Sequence, residues 1–190
     1  LSIPRDLYVE NKKMGGMRVN NIYFAAKKQL ENSEIAIELL RKQIEEIVGM
    51  EIQYYIKIDF DGLIKVVDEL GGVDMNIPYA IYDPLYPKGE TGFYETFFIS
   101  QGYQHLDGTT ALKYVRSRHT TSDFSRSERQ QTLLLAIKEK AEKVNILSNK
   151  TKLERIYEAI TEKMETGLSF REIAKLAEIA SEMDQGKIKN

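Results

Sequence analysis

Arginines are concentrated in one segment of the chain, "YVRSRHTTSDFSRSERQQ", which runs from Tyr114 to Gln131. Planar guanidinium groups donate hydrogen bonds in forked pairs that match phosphate oxygens, so several of them around one loop and one helix start suit a diphosphate. The glycine-rich nucleotide motifs GxxxxGK[ST] and GxGxxG are absent from the sequence. The predicted phosphate ligands are therefore the arginines themselves, Arg116, Arg118, Arg126 and Arg129.

The second half of this segment carries a helix start signal. Ser125 and Glu128 have the spacing of a capping box, which predicts a long helix beginning near Arg126. A cation in the first turn of a helix is unfavourable by about 0.3 to 1 kcal/mol, whereas an anion is attracted by the free N–H groups there. This position therefore predicts a negatively charged neighbour.

The predicted helix turns the same polar groups toward the core. Arg126, Arg129 and Gln130 precede an apolar stripe on one helical face. An unpaired charge facing a core costs several kcal/mol, so these arginines require internal carboxylates or a bound anion. Asp123 and Glu128 are the candidate carboxylates, and an ordinary surface ion pair is an equally good interpretation of any single arginine. Two carboxylates cannot neutralise all four arginines, which favours a bound anion.

Composition excludes several other kinds of site. The 190 residues include 27 Lys and Arg against 29 Asp and Glu, a net charge of -2 that argues against a general nucleic-acid binder. The chain has no cysteine and two histidines. Disulfides, thiolate metal sites and a His-rich zinc site are thereby excluded or disfavoured.

The elements that must position the arginines alternate between helical and extended patterns, which indicates an α/β domain. A Gly15–Gly16 loop precedes a helix capped by Asn20 or Asn21, and a second helix runs from Ser33 as its N-cap to Gly49. The segment "IQYYIKIDF" is then predicted to be a strand.

The middle of the chain continues this alternation. Asp59 is predicted to cap a helix that ends at Gly71–Gly72, "VDMNIPYAI" to be a strand, and "LDGTTALKYVR" to be a third capped helix. The aromatic segment within residues 83–104 is either a core strand or part of the wall of an apolar pocket. The C-terminal part predicts two amphipathic helices, the second opened by a Ser169–Glu172 capping box.

Four blocks of the sequence, in order, resemble the LytR-CpsA-Psr family of cell-wall glycopolymer ligases. "LSIPRDLYV" resembles its SIPRD motif, and "RVNNIYFAA" resembles its KIN-type segment with Arg18 in place of lysine. "IKIDFDGLIKVVDELGGVDMNIP" resembles its central block, and "GYQHLDGTTALKYVRSRHTTSDFSRSERQQ" resembles its region of R-x-R, D and R, and RQQ. Four blocks in the correct order are a far more specific signal than any one of them.

The resemblance implies a three-layer α/β/α sandwich with a mixed central sheet. It implies one catalytic domain over residues 1–190, with residues 148–190 forming its C-terminal helices. Leu1–Ile3 is similar to the end of a strand, so the resemblance also implies preceding strands and an N-terminal transmembrane anchor. Such a protein acts at the outer face of the cytoplasmic membrane, as an extracytoplasmic domain.

The resemblance further implies a phosphotransferase. Its donor is a polyprenyl-pyrophosphate-linked polymer of the teichoic acid or capsular polysaccharide type, its acceptor is peptidoglycan, and its cofactor is Mg²⁺ or Mn²⁺. No nucleic acid takes part. Asp123 lies near the reacting centre with Arg118 and Arg126, either as a general base or as a carboxylate that orients the arginines. The implied pyrophosphate contacts are Arg5, Arg116, Arg118, Arg126 and Gln130, with Asp6, Arg18 and Arg129 as additional candidates.

The sequence departs from the family pattern at two points, the first of which bears on activity and leaves an alternative open, while the second bears only on local packing. The aspartates that help to hold magnesium in the family precede the SIPRD strand and are expected before Leu1, and the double glycine after the KIN segment is absent. A non-catalytic binder of lipid-linked or polymeric phosphate would use the same arginines without turnover. A transcriptional regulator would need a helix-turn-helix and a basic face, and the sequence predicts neither.

Overall fold

A computed structural model describes residues 3–89, 91–117, 123–144, 151, 154–158, 164–173 and 175, with the backbone alone for 123–125 and 164–166. The chain divides into two compact units, Leu1–Tyr54 and Tyr55–Asn190. Each unit has its own helices and strands and is described separately below. None of the helices in the described ranges is both long enough and apolar enough to cross a membrane.

The first unit opens with a hairpin of β1 (Tyr8–Asn11) and β2 (Gly15–Arg18), which pair antiparallel. Asn11 forms the turn, because its side-chain oxygen accepts hydrogen bonds from the amides of Lys13 and Met14. The predicted Gly15–Gly16 loop is therefore wrong, since both glycines lie in β2. A Cβ atom at position 16 would meet the hydroxyl end of Tyr8, so a larger residue there requires that exposed side chain to shift.

Two helices complete this unit, α1 (Val19–Leu30) and α2 (Ser33–Val48). The predicted caps at Asn20 or Asn21 and at Ser33 are wrong by one to three positions, because α1 follows Arg18 and includes both asparagines, and Asn32 caps α2 by accepting from the amide of Ile35. The predicted end at Gly49 is confirmed, with φ at 71° in the left-handed region. Ile3 belongs to no strand and precedes a turn.

In chain order the elements of the second unit are β3 (Ile56–Ile58), α3 (Phe60–Glu69), β4 (Val73–Ile77), β5 (Ile81–Pro87), β6 (Tyr94–Ile99), β7 (Gly102–Leu106), α4 (Gly108–Arg116), α5 (Asp123–Lys143) and β8 (Met164–Thr166). These described strands pair antiparallel, β3 with β8, β4 with β7, and β5 with β6. Asp59 opens α3 as predicted by accepting from Gly62, and the predicted capped helix α4 is opened by Asp107, which accepts from Thr110.

Three boundaries in this unit differ from the sequence predictions. Helix α5 has already formed at Asp123, so Ser125 lies inside it and is not its cap. The predicted strand "IQYYIKIDF" shortens to β3, because β8 pairs with those three residues only. β8 itself lies in a segment that was predicted to be helical. The capping box is confirmed, since Ser169 and Glu172 exchange hydrogen bonds.

The core of the second unit lies between the strand pairs and helices α3, α4 and α5. The aromatic segment is a core strand on one side, because Phe97 and Ile99 are buried while Tyr94 and Phe98 alternate outward. α5 packs through Leu133 and Ala136. This packing brings the start of α5 against α4 and so places the arginine segment next to the core. The core residues include Val67, Val73, Met75, Ile77, Leu106, Ala111, Tyr114 and Val115.

Candidate functional site

Helix α4 is fixed at its beginning by α3. The amide of Gly108 donates a hydrogen bond to the carboxylate of Asp68 at 2.7 Å. A Cβ atom at position 108 would collide with the backbone of Ile64, so only glycine allows the two helices to approach this closely. These contacts fix the start of α4 against α3. Arg116 is the last residue of the helix that is held in this way.

The guanidinium group of Arg116 lies against two aromatic rings. Its central carbon is 4.0 Å from the centroid of the Phe60 ring and 5.7 Å from that of Tyr86. Contacts of this kind contribute about 0.5 to 2 kcal/mol and occupy the face of a guanidinium, while the N–H donors lie at its edge. Burial raises the pKa of the Tyr86 hydroxyl, and the nearby positive charges of Arg116 and Lys113 partly offset that rise.

A second cation approaches the same tyrosine. The ammonium of Lys113 lies 5.7 Å from the Tyr86 centroid and 2.6 Å from a carboxylate oxygen of Glu95. Sequence motifs did not identify Phe60, Tyr86 or Lys113 as site residues, because an aromatic or lysine residue at these positions is also typical of ordinary packing. The spacing of Lys113 to Arg116 within one helix was the available signal.

Arg129 is buried on the core side of α5, with 6% of its surface exposed. Its guanidinium donates to the carbonyl of Tyr114 at 2.9 Å and to the carbonyl of Ser117 at 2.7 Å. Burial lowers the pKa of Arg129, and repulsion from Arg126 acts in the same direction, while the negative charge of Asp83 raises it. The predicted need for a partner is met here by carbonyls at the end of α4.

Asp83 and Ser117 complete this buried network. The Ser117 hydroxyl donates to one carboxylate oxygen of Asp83 at 2.8 Å, and the amide of Leu85 donates to the other at 3.2 Å. Asp83 is 2% exposed and Ser117 is 1% exposed. Asp123 and Glu128 were the internal carboxylates predicted as partners of the arginines, and Asp83 was not predicted. The only sequence signal for it is a carboxylate inside an otherwise apolar strand.

The remaining predicted residues of this segment are described to different extents. Arg126 is half-buried and has a partner of its own, and its charge is close enough to influence Arg129. Gln130 is exposed one turn further along the same helix. Arg118 and the side chain of Asp123 lie outside the described residues, so their predicted roles stay predictions.

The first unit brings together the other three predicted residues. Asp6 forms an ion pair with Arg5 at 3.5 Å and accepts a hydrogen bond from Arg18 at 3.4 Å. All three side chains are substantially exposed, at 48%, 41% and 62% for Arg5, Asp6 and Arg18. Backbone hydrogen bonds from Asn20 to Arg5 and from Val19 to Leu7 fix this loop on the start of α1. Solvent-exposed ion pairs of this kind exchange readily.

No group of three or more His, Asp or Glu side chains within the described ranges could hold a metal ion. Asp6, the nearest predicted candidate, already has two arginines as partners. Cations at that distance compete with a metal for the same oxygens. The described residues therefore do not fit a complete magnesium site.

Comparison with known proteins decides the family. Residues 1–190 match the LytR_cpsA_psr family. The chain belongs to the LytR-CpsA-Psr family. A similar protein is the polyisoprenyl-teichoic acid–peptidoglycan teichoic acid transferase TagV of Bacillus subtilis strain 168, with 29% identity over 193 residues, covering 99% of this chain and 45% of TagV. The probable cell wall biosynthesis protein LcpB of Corynebacterium glutamicum is 36% identical over 138 residues, covering 72% of this chain and 29% of LcpB.

Solved structures support the same assignment. The crystal structure of B. subtilis TagV has a TM-score of 0.71 and 27% identity, covering 99% of this chain and 67% of that chain. The predicted α/β/α fold class of the family is thereby confirmed. The chain spans 45% of the length of TagV as a whole protein.

Proposed function

We propose that this domain transfers a glycan phosphate from a polyprenyl-pyrophosphate-linked cell-wall polymer to peptidoglycan. In this proposal the arginine cluster of the second unit holds the pyrophosphate. The observation that carries the proposal is the position of the Arg116 guanidinium at the end of α4. Its central carbon lies 4.0 Å from the centroid of the Phe60 ring, in a chain that belongs to this family. A stacked guanidinium is oriented before any ligand arrives, so its N–H donors bind oxygen at a lower entropic cost.

The polymer class is proposed from the relatives. TagV is named as a teichoic acid transferase, and a TagU of Enterococcus faecalis, 27% identical over 180 residues, carries the corresponding name. A structure described as TagT bound to LIIa-WTA is similar to this chain with a TM-score of 0.69 and 26% identity. A polymer of the teichoic acid type is therefore the first candidate, and a capsular polysaccharide is the second.

The chemistry requires one bond to form and one to break. A peptidoglycan hydroxyl oxygen attacks the phosphorus on the glycan side, and the bond from that phosphorus to the bridging oxygen breaks. Polyprenyl phosphate leaves with the bonding electrons, and the hydroxyl proton passes to a base. Negative charge spreads over the equatorial and leaving oxygens in the transition state, so positioned cationic donors supply most of the acceleration.

The proposed roles follow from that charge. Arg116 and Arg126 bind the pyrophosphate oxygens and stabilise the charge that develops, and Arg118 and Gln130 complete the proposed set. Asp123 either accepts the proton of the acceptor or orients the arginines, and both roles stay open. The set is proposed from the family motif, and the packing of α5 on α4 supports it for Arg116 and Arg126.

The proposal for Arg5 concerns the first unit and is supported by the family motif. Arg5 and Arg18 each pair with Asp6 in an exposed loop. A phosphate group brings more negative charge than one carboxylate, so it can replace Asp6 as the partner of these arginines. Asp6 then becomes available for another cation. We propose Arg5 as a pyrophosphate contact, with Arg18 as an additional contact and Asp6 as an additional site residue that pairs with a cation.

A divalent cation, Mg²⁺ or Mn²⁺, is also proposed. Bound beside a pyrophosphate, such an ion supplies neutralising charge on the phosphate oxygens. Because the described residues do not form a ligand set, the chemistry above contains no step that depends on the ion. The measurement is the rate of transfer after removal of divalent cations with a chelator and after their return.

The proposed location is the outer face of the cytoplasmic membrane, with a membrane anchor outside this sequence. The donor in this proposal carries a polyprenyl chain and the acceptor is part of the cell wall, and the two meet at that surface. Fractionation of cells followed by protease treatment of intact protoplasts tests it. Protection of the domain from protease would contradict the proposed side of the membrane.

Transfer is tested directly by mass spectrometry. The purified protein is incubated with Mg²⁺, a polyprenyl-pyrophosphate-linked saccharide and a peptidoglycan fragment. The proposal predicts an acceptor that has gained a glycan phosphate and an equal amount of polyprenyl phosphate. An unchanged donor that nevertheless binds to the protein would support the non-catalytic alternative and contradict the proposed transfer.

A further inference from the structure

Ser117 stands between Arg116 and Arg118 in the sequence, yet it is one of the most completely buried side chains described, with 1% exposed. Its backbone amide donates to the carbonyl of Lys113 and closes the last turn of α4. Its hydroxyl and its carbonyl are bound by residues from two other elements. A polar residue is thus anchored in the core immediately beside the arginine that stacks on Phe60.

The first anchor is Arg129 on α5. The last carbonyls of a helix have no partner within the helix and carry the negative end of its dipole. Arg129 donates to the carbonyl of Tyr114, in the last turn of α4, and to that of Ser117, just beyond it. Its two donor nitrogens therefore bridge the final turn of α4, on the opposite side of that turn from solvent.

The second anchor is Asp83 on β5. A carboxylate buried to 2% exposure requires hydrogen-bond donors, and Asp83 receives one from the Ser117 hydroxyl at 2.8 Å and one from the amide of Leu85. Asp83 thus binds the Ser117 hydroxyl and Arg129 binds the Ser117 carbonyl, and the charge of Asp83 also acts on Arg129. Ser117 is therefore held by two buried groups of opposite charge, and buried charges are weakly screened.

We infer that Asp83, Ser117 and Arg129 form a clamp whose role is to position Arg116 for the pyrophosphate, with Arg129 acting behind the phosphate site. This inference rests on the proposed function. Arg129 contacts the last turn of α4 and Ser117, the residue that follows the helix, and Asp83 contacts Ser117. The guanidinium of Arg116 instead lies against Phe60 and Tyr86. The clamp fixes the backbone from which Arg116 extends, so Ser117 and Asp83 are positioning residues.

The inference differs from a purely structural role in what it predicts. A small displacement of a group that binds a reacting phosphate lowers affinity or turnover on the order of tenfold to a hundredfold without unfolding the protein. A purely structural clamp would change the melting temperature and leave binding to the remaining folded protein unaltered. Measurements well below the melting transition separate these two outcomes.

The test uses Ser117→Ala, Asp83→Asn and the double variant in the purified protein, with geranyl pyrophosphate as the probe. Dissociation constants are measured by calorimetry, and the Nε–Hε resonance of Arg116 is followed by NMR after assignment with Arg116→Lys. We expect Ser117→Ala to weaken binding about tenfold and to shift the Arg116 resonance. The double variant should be no weaker than the worse single variant, because both substitutions weaken the same contact between Ser117 and Asp83.

Two controls complete the design. Arg155→Ala removes an exposed arginine of the same unit and should bind as the wild type does. Ser117→Thr keeps the hydroxyl and should restore the Arg116 resonance toward its original position. If Ser117→Ala fails to fold, Asp83→Asn and Arg129→Lys supply the same two readouts.

The outcomes separate the clamp from the proposed function. Loss of binding in Arg116→Ala, together with unaltered binding and an unshifted Arg116 resonance in Ser117→Ala and Asp83→Asn, would overturn the clamp and leave the proposed function standing. Unaltered binding in Arg116→Ala would overturn the proposed site. In that case the clamp's role of positioning Arg116 for the pyrophosphate is overturned together with the site.

Discussion

Arginines occur in two contrasting settings in this molecule. In the first unit, Arg5 in the loop before β1 and Arg18 at the end of β2 are exposed and share one carboxylate, Asp6, at 3.4 to 3.5 Å. In α5, Arg129 is 6% exposed and donates to two backbone carbonyls. The exposed arginines of the first unit can therefore exchange their carboxylate partner readily, whereas the buried Arg129 of the second unit is held in place by its partners.

The energies of the two settings differ accordingly. Exposed ion pairs contribute about 0 to 1 kcal/mol because water and salt compete for both charges. A buried hydrogen bond to a charged group contributes about 1.5 to 3 kcal/mol, and a buried partner left alone costs a further amount. Burial and the identity of the partner, rather than residue type, decide which arginine can serve a ligand.

The largest expected effect is on stability in the second unit. Arg129→Met should lower the free energy of unfolding by about 3 kcal/mol, because two buried carbonyls lose their donor and the buried carboxylate of Asp83 loses a positive charge that acts on it. Arg5→Met should change it by no more than about 0.5 kcal/mol. Urea unfolding measures both values. Equal effects of the two substitutions would remove the contrast between the settings.

A smaller effect is expected on ligand binding. Arg116→Lys keeps the positive charge but removes the planar fork and the broad contact with the Phe60 ring, so geranyl pyrophosphate should bind about tenfold more weakly. Arg118→Lys is expected to act in the same direction on the basis of the sequence motif. Calorimetric titration measures the affinities, with Arg155→Lys as the exposed control. Wild-type affinity in both variants would show that only charge matters.

A weaker effect is expected in the loop before β1. Asp6→Asn removes the shared partner of Arg5 and Arg18, and its effect on stability should not exceed about 1 kcal/mol and should disappear at high salt. Thermal melting at low and high ionic strength measures this change. A large loss of stability that does not depend on salt would show that the ion pairs of Asp6 are not readily exchanged. It would contradict the contrast between the exposed and the buried arginines.

The smallest expected effect is on the pH dependence of stability. It concerns the partly exposed Asp74, which lies opposite His105 on the paired strand. The hydrogen bond with His105 and then that with Lys140 lower the pKa of Asp74. Because the folded pKa is below the unfolded one, the carboxylate stabilises the fold above the unfolded pKa, about 3.9, and this contribution disappears as the pH falls through the folded pKa. Asp74→Asn should therefore lower the melting temperature near neutrality and converge with the wild type in acid. A constant difference across the range would contradict this account.

Sequence patterns predicted the helices of this fold better than its strands and its buried polar groups. Asp59 and Asp107 were recognised as caps because their signal is local, a short polar side chain before an amphipathic run. β8 was missed because strand pairing depends on a partner more than a hundred residues away, as β3 and β8 show. The start of α5 was placed too late because Ser125 and Glu128 have capping spacing inside a helix that begins earlier.

The candidate site follows the same division. The arginine types and the family motif identified Arg116, Arg126 and Arg129 as a group. No sequence pattern distinguished Arg129, which is buried, from Arg126, which is half-buried, although they are three residues apart. Asp83 was missed because its partner, Ser117, is distant in sequence and is brought to it only by packing of β5 against α4.

The central claim is that the arginine cluster of the second unit binds a diphosphate, and Arg126 tests it most directly. Titration of geranyl pyrophosphate into the wild type and Arg126→Ala, with circular dichroism to verify the fold, gives the decisive comparison. The account predicts a dissociation constant at least about tenfold higher for Arg126→Ala, since a charge-assisted fork to phosphate is lost, and an unchanged spectrum. Equal affinity of the two proteins would assign Arg126 to an ordinary surface ion pair and contradict the account.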